Sequence, residues 1–321
     1  MTRVQGQPTP SRLELTNPIE RTVVKQILTV GASLMLLFVP AHIAVASPTP
    51  PSGDKLFEVS CDSTTNDHQL HSLNVRVGTR TPIGNGSGGI FGSGCARQGA
   101  IKPGTDWFYF PDVDLQALSR VNLVSGEIEL VAPVLNNTEP VRLASLAIDD
   151  EGNAYGLTRD NLYSLDLLTG AVSDEKPADT VALSGGFPHG FAYDGKTNEF
   201  YVVENQGGLF RLDVSTGDLT LLATNPDFWV ASMAFDSRGR MWVNGDDGLA
   251  NLNLANFGNS ARWSYIPDLS PDVHSESLAI RRPQTSTNEN LANTGVAEIA
   301  PMVIVGLGAA VLAFALRRRS V

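Results

Sequence analysis

The chain has 321 residues and a formal net charge of −11, from 23 Lys and Arg against 34 Asp and Glu. Such an acidic surface repels phosphate backbones and anionic lipid, which argues against nucleic acid as a partner. It suits solubility and leaves a cationic ligand or calcium open.

At the N-terminus Arg21 and Lys25 precede the apolar run "ILTVGASLMLLFVPAHIAVA", which ends in Ala44-Val45-Ala46. A basic segment, an apolar segment and an A-x-A site make a signal peptide over residues 1–46, so the exported chain starts at Ser47. The basic segment is long and carries Glu14 and Glu20, so an uncleaved membrane anchor stays the alternative. Residues 47–54 read as a short linker. Cys61 and Cys95 both fall in the exported part. Outside the membrane two thiols usually pair, and this bond would contribute on the order of 3–4 kcal/mol in the chain-entropy model. Neither cysteine has a neighbourhood that would activate a nucleophile.

Residues 55–282 repeat a pattern. "LHSLNVRVG" from Leu70, "LSRVNLVSG" from Leu118, "LYSLDLLTG" from Leu162, "LFRLDVSTG" from Leu209 and "LANLNLANFG" from Leu249 start 48, 44, 47 and 40 residues apart. Each alternates apolar and polar positions, carries Asp or Asn fifth, and closes on Gly. Alternation marks a half-buried strand, and the fifth residue is expected to order the turn through its side chain. A second motif keeps the same beat: "SLAID", "GFAYD", "SMAFD" and "SLAI" place Ala147, Ala192, Ala234 and Ala279 at spacings of 45, 42 and 45. Asp/Gly-rich turns and further strands follow three of them.

Four antiparallel strands every 40–50 residues predict an all-β chain, a β-propeller of four-stranded blades, with small alanines on the crowded inner strands. Five blades are expected. The last inner strand, "ESLAI" at Glu276–Ile280, has no blade after it, and the first unit, "KLFEVS", has no inner strand before it. Pairing these N- and C-terminal strands would close the ring. The second blade is the weakest, because "GGIFGSG" is a poor inner strand. Six blades would require hidden strands within residues 84–95. The pattern resembles the broad class of YVTN/NHL-like bacterial propellers over about 230 residues, a likeness that implies architecture and leaves chemistry open.

Beyond residue 282 comes a short stalk, 283–295, containing "LANTG", and then residues 296–321, a hydrophobic segment and basic tail. From Ile299 to Leu316 no side chain is charged, and those 18 residues span about 27 Å as a helix, close to a bilayer's hydrocarbon thickness. Arg317, Arg318 and Arg319 follow and mark the cytoplasmic side. Leu291, Ala292, Asn293, Thr294 and Gly295, with this tail, resemble the LPxTG-like sorting signal of Gram-positive surface proteins. That resemblance implies cleavage between Thr294 and Gly295 by a sortase thiolate and transfer of Thr294 to peptidoglycan, a two-step acyl transfer. Ala292 stands where Pro is common, which resembles the form read by class E sortases of high-GC Gram-positive bacteria. The implied location is the cell wall, with only transient membrane residence. Removing leader and tail leaves 16 basic and 31 acidic residues, a net charge of −15.

No zinc pattern, phosphate loop, nucleophile elbow or EF-hand loop is present, and no metal or cofactor is expected. "DDEGNAYG" lacks the spacing and bidentate glutamate of a calcium loop and reads as a blade turn. Propeller ligands usually sit at the channel mouth, on loops entering the inner strands. Those loops hold Arg142, His189, Asp227, Trp229, His274 and Glu276, which form the candidate ligand site, with Trp229 as a stacking surface for a sugar. The leading function is an adhesin-like binding module for a glycan or protein at the cell surface. The runner-up is a glycan-active enzyme: a hydrolase would need Asp227 and Glu276 facing across a cleft about 5–9 Å wide, and a lyase would need His189 or His274 as base.

Overall fold

The computed structural model describes residues 49–62, 67–87, 96–178, 187–204, 207–225, 229–245, 248–266, 269 and 274–283. The leader, the sorting motif Leu291–Gly295, the C-terminal tail, Cys95 and Asp227 lie outside them, as do the side chains of His274 and Glu276. Among the described residues no helix is long and apolar enough to cross a membrane.

Five sheets make five blades. Blade 1 orders His274–Arg281, Lys55–Asp62, Asp67–Asn74 and Thr79–Ile83 from inner to outer edge. Blade 2 runs Ala100–Ile101, Trp107–Asp112, Ala117–Asn122 and Ile128–Pro133. Blade 3 runs Ser145–Ile148, Ala154–Leu157, Asn161–Leu165 and Ala171–Pro177, with the hairpin Leu135–Asn136 and Glu139–Pro140 added to its outer edge. Blade 4 consists of Pro188–Asp194, Glu199–Glu204, Gly208–Leu212 and Leu219–Thr224; blade 5 consists of Val230–Phe235, Met241–Gly245, Gly248–Leu252 and Ser264–Tyr265. The C-terminal strand pairs antiparallel with the first, from Lys55 opposite Arg281 to Cys61 opposite His274. The ring is therefore closed as the orphan strands implied, and its inner sheet edges are short and protected.

There is no single central core. Apolar residues collect in five clusters, one at each seam between adjacent blades. Phe57 and Leu70 of blade 1 meet Phe108 and Phe110 of blade 2; Leu146 and Tyr163 of blade 3 meet Tyr109 and Leu118 of blade 2. Phe191, Phe200 and Phe210 of blade 4 pack on Leu157 and Leu162 of blade 3. Burying each such side chain contributes roughly 1.5–3 kcal/mol, whereas an exposed ion pair such as Arg211–Glu199 is worth about 0–1 kcal/mol. Burial at the seams therefore decides stability.

The repeated turn works as its residue types require. The side-chain oxygen Oδ1 of Asn74, Asn122, Asp166 and Asp213 accepts a hydrogen bond from a backbone N–H two residues on. The backbone N–H groups of Leu168 and Thr169 hold the Asp166 carboxyl below the usual carboxylate range, and the Ser215 hydroxyl, then its N–H, do the same for Asp213. In blade 5 Asn253 makes no such bond, because two short 3₁₀ turns replace the tight loop. The closing glycines have positive φ, with +72° at Gly126, +70° at Gly170 and +88° at Gly217. A Cβ there would meet the carbonyl oxygen of Ile83, Pro133 or Pro177 at 2.0, 2.3 and 2.5 Å respectively. Each of those carbonyls ends the outer strand of the preceding blade, so one glycine permits both the turn and the seam.

"DDEGN" is a turn, as expected. Both carboxylate oxygens of Asp149 accept hydrogen bonds from Asn153, from its backbone N–H and its side-chain amide. The described inner strand of blade 2 runs from the bridge residue Ala96 through Gln98 to Ile101, whereas "GGIFGSG" lies outside the described residues.

Candidate functional site

The five inner strands run parallel to one another around the axis, so equivalent residues form rings. Gln98, Ser145, Gly190, Ser232 and Ser277 share one level, each two residues before the small Ala100, Ala147, Ala192, Ala234 and Ala279. Four of the five are Ser or Gly, and the space they leave is filled by Gln98. Its amide nitrogen donates to the carbonyls of Leu278 at 3.0 Å and Gly99 at 2.6 Å, and its amide oxygen accepts from the N–H of Met233 at 2.8 Å. Its backbone carbonyl accepts from the N–H of Leu146 at 2.9 Å. Gln98 is 1% exposed. It sits at the axis as a polar plug bonded to the inner strands of blades 1, 3 and 5, between the two mouths of the channel.

One residue upstream lies a second ring: Arg97, Ala144, His189, Ala231 and Glu276. Here the strand register slips. Pro188 pairs with Glu204 but Gly190 with Val203, leaving His189 as the extra residue of a bulge; Ala231 and Glu276 occupy the same place in blades 5 and 1. Bulges re-aim a residue out of the ladder and are common beside functional sites.

This upper mouth opens into a cavity of about 520 Å³ lined by Arg97, Arg142, Arg159, Tyr163, Phe187 and His189, among others. The guanidinium of Arg159 lies over the ring of Phe187 at 5.3 Å. The ring of Trp229 stands edge-on to His189, with centroids 5.3 Å apart and planes at 68°. Burial, then the positive charge of Arg97, push the His189 imidazole down from 6.5 to about 4. It is therefore neutral near pH 7, and its Nδ1 has no hydrogen-bond partner among the described residues.

Of the six residues that the sequence nominated, Arg142 and His189 line this cavity and Trp229 touches His189. His274 and Glu276 are placed by register alone, at the upper end of the closing strand. Asp227 lies outside the described residues, so the carboxylate pair of a hydrolase has no geometry. Sequence reasoning missed Arg97, Gln98, Arg159 and Phe187. The first two had a signal: "RQGAIK" lines up with "ASLAID", "HGFAYD" and "ESLAIR". Also missed was Glu204, paired with Pro188, whose buried carboxyl is pushed up by desolvation.

The lower mouth differs. Its cavity, about 420 Å³, is lined by Lys102, Asp150, Lys196, Arg281 and Arg282, among others. Its charges are largely spent on structure: Arg282 pairs with Asp150, Arg281 with Asp106, and the Lys196 ammonium donates to the Arg238 carbonyl. The chain leaves here, at Pro283, which packs against Gly53 near the start of the first blade.

No family model matches the chain, and no curated protein does. Solved structures are similar at low identity. A nidogen/laminin complex aligns at 14% identity over 64% of this chain and 76% of that one, with a TM-score of 0.44. A protein of unknown function from Bacteroides thetaiotaomicron aligns at 18% over 59% and 53%, with a TM-score of 0.43, so this chain spans about half of its length. Virginiamycin B lyase from Staphylococcus aureus aligns at 11% over 60% and 64%, with a TM-score of 0.39. The architecture rests on the five sheets themselves.

Proposed function

We propose that the protein is a surface-displayed binding module that takes a small ligand, a glycan in the first instance, at the upper channel mouth. The observation that carries this reading is the cavity above Gln98, where Arg142 and the ring residues Arg97 and His189 come together beside Trp229. Its size lies within the range of small-molecule sites, and its mixture of aromatic faces with a few polar groups is what such sites use. His189 stands on the inner strand Pro188–Asp194, and Arg142, Phe187 and Trp229 lie in the segments that lead into the inner strands of blades 3, 4 and 5.

The sequence-level expectations of export, sorting at Leu291–Gly295 by a class E-like sortase, and linkage of Thr294 to peptidoglycan complete the reading. Departure of the chain at Pro283, on the face opposite the cavity, supports a display in which the upper mouth faces away from the anchor. Titration of an immobilised saccharide panel with the wild-type chain and with Trp229→Ala and His189→Ala tests the site. Binding that survives both substitutions unchanged would remove it.

A second reading is a lyase. His189 lines the cavity with its imidazole neutral near pH 7, the protonation state that a general base requires. Product release from a panel of acidic and neutral polysaccharides, absent in His189→Ala, is the result that would establish it.

A further inference from the structure

We infer that the upper cavity selects an anionic saccharide, one carrying carboxylate or phosphate on its rings; this rests on the binding reading above. The rim carries two guanidiniums, Arg142 and Arg159, both exposed and neither in an ion pair among the described residues. Among the described residues the lining sets one carboxylate, Asp160, against these two guanidiniums. A local excess of positive charge in a chain of net charge −11 runs against the surface average. Self-repulsion does not demand it, because the surrounding acid would satisfy these cations more easily through ion pairs. At the lower mouth that is what happens, with Arg281 and Arg282 each held by an aspartate.

The planar guanidinium presents a fork of donors that matches carboxylate and phosphate. Arg159 is held over the exposed ring of Phe187, which fixes the fork at the rim without consuming its donors. Phe187 gives a flat, exposed apolar face at the same opening, so a sugar ring can lie against it while its charged substituent reaches Arg142 or Arg159. The neutral imidazole of His189 forms part of the same lining and gives a ring hydroxyl a polar neighbour. A folded protein partner does not enter a cavity of about 520 Å³; a linear saccharide end does. Outside the cavity, the acidic surface discourages anions, so the charge requirement acts as a filter: only a chain whose charged unit reaches the rim gains from it.

The test is calorimetric titration of the full-length chain with a short oligogalacturonate, with a glycerol-phosphate oligomer, and with the neutral galactose oligomer of equal length, at low and moderate salt. The expected result is binding of at least one anionic oligomer about tenfold or more tighter than the neutral one, weakening as salt rises. Arg142→Gln and Arg159→Gln should each lower anionic affinity about tenfold and weaken the neutral oligomer by clearly less. The two anionic arms separate a carboxylate source from a phosphate source. In the anionic complex the His189 imidazole should titrate higher than in the free protein, because a nearby negative charge favours its protonated form. Neutral oligomer binding as tightly, with both arginine variants indifferent, overturns the anionic selection and leaves the binding module standing. An acidic peptide that binds tighter than either anionic oligomer overturns the saccharide class. No binding of any oligomer overturns both readings.

Discussion

The amide oxygen of Gln98 accepts a hydrogen bond from the backbone N–H of Met233, 135 residues further along the chain, at 2.8 Å. The same side chain donates to Leu278, so one glutamine from blade 2 ties the inner strands of blades 5 and 1 across the axis. Its methylene stem also occupies the room left by Ser145, Ser232 and Ser277. Replacing Gln98 by Ala strands a buried N–H and a buried carbonyl, each costing on the order of 1–3 kcal/mol unless water enters. Gln98→Ala should therefore lose about 2–3 kcal/mol in urea unfolding, and less if the polar serine ring takes up water. An unchanged midpoint would mean that the plug fills space without holding the ring.

Gly170 and Gly152 separate backbone strain from seam packing. Both have positive φ, +70° and +89°. A Cβ at Gly152 meets nothing within 4 Å, but at Gly170 it meets the Pro133 carbonyl oxygen at 2.3 Å. Gly152→Ala should cost about 1–2 kcal/mol, the left-handed penalty alone. Gly170→Ala must also push blade 3 away from blade 2 and should lose clearly more. Equal losses in thermal or urea unfolding would show that the seam yields freely.

These two glycines also show why so much of the architecture was legible. Asp or Asn followed four residues later by Gly performs a local job, turn formation, and a seam job against the preceding blade. Both repeat in every regular unit, so the spacing of Leu70, Leu118, Leu162, Leu209 and Leu249 carried the blade count and Glu276–Ile280 carried the closure. The inner strand of blade 2 was harder because Gly99 replaces the usual large apolar residue and Lys102 replaces the Asp that marks its siblings. Missing that strand hid Arg97 and Gln98, the residues that depart from the repeat because they act at the axis. Arg159 and Phe187 lie in turns whose identity the repeat does not constrain. They meet only after the ring has closed.

His189 predicts a pH dependence. Its folded-state pKa, about 4, lies below the ordinary 6.5, so the unfolded chain binds the proton more readily. The stabilisation from the neutral imidazole is fully present above pH 6.5 and is lost as pH falls from 6.5 toward 4. A shift of this size corresponds to roughly 3 kcal/mol at most, and the imidazole's partial exposure reduces it. The unfolding free energy of wild type should decline by about 1–3 kcal/mol over that window relative to His189→Asn. Parallel pH profiles for the two proteins would place the His189 pKa near its ordinary value.

Cys61 is buried and is not a free thiol, whereas Cys95 lies outside the described residues. We propose that they pair, as two cysteines in an exported chain should. Peptide mapping without reduction should find the two in one linked fragment, and iodoacetamide should label neither until reductant is added. Cys61→Ser with Cys95→Ser should lower stability by roughly 3–4 kcal/mol. Labelling of the unreduced native protein at Cys95 would show that the bond is absent.

The sorting proposal makes a prediction that separates the two ends of the chain. If Thr294 is the acyl donor, Thr294→Ala leaves the hydrophobic tail uncut, and the protein should move from the wall fraction to the membrane fraction at unchanged abundance. Deleting residues 296–321 instead removes the segment that holds the substrate beside the enzyme, and the chain should appear in the medium. The two defects differ because the motif supplies the bond to be exchanged, whereas the tail supplies only retention at the membrane, where about 18 uncharged residues suffice to span the hydrocarbon. The propeller's unfolding curve should be identical in both variants, since its ring closes at Arg281 through pairing with Lys55. Wall attachment that persists in Thr294→Ala would show that the chain is held at the surface by contacts of the folded domain rather than by a covalent bond at Thr294.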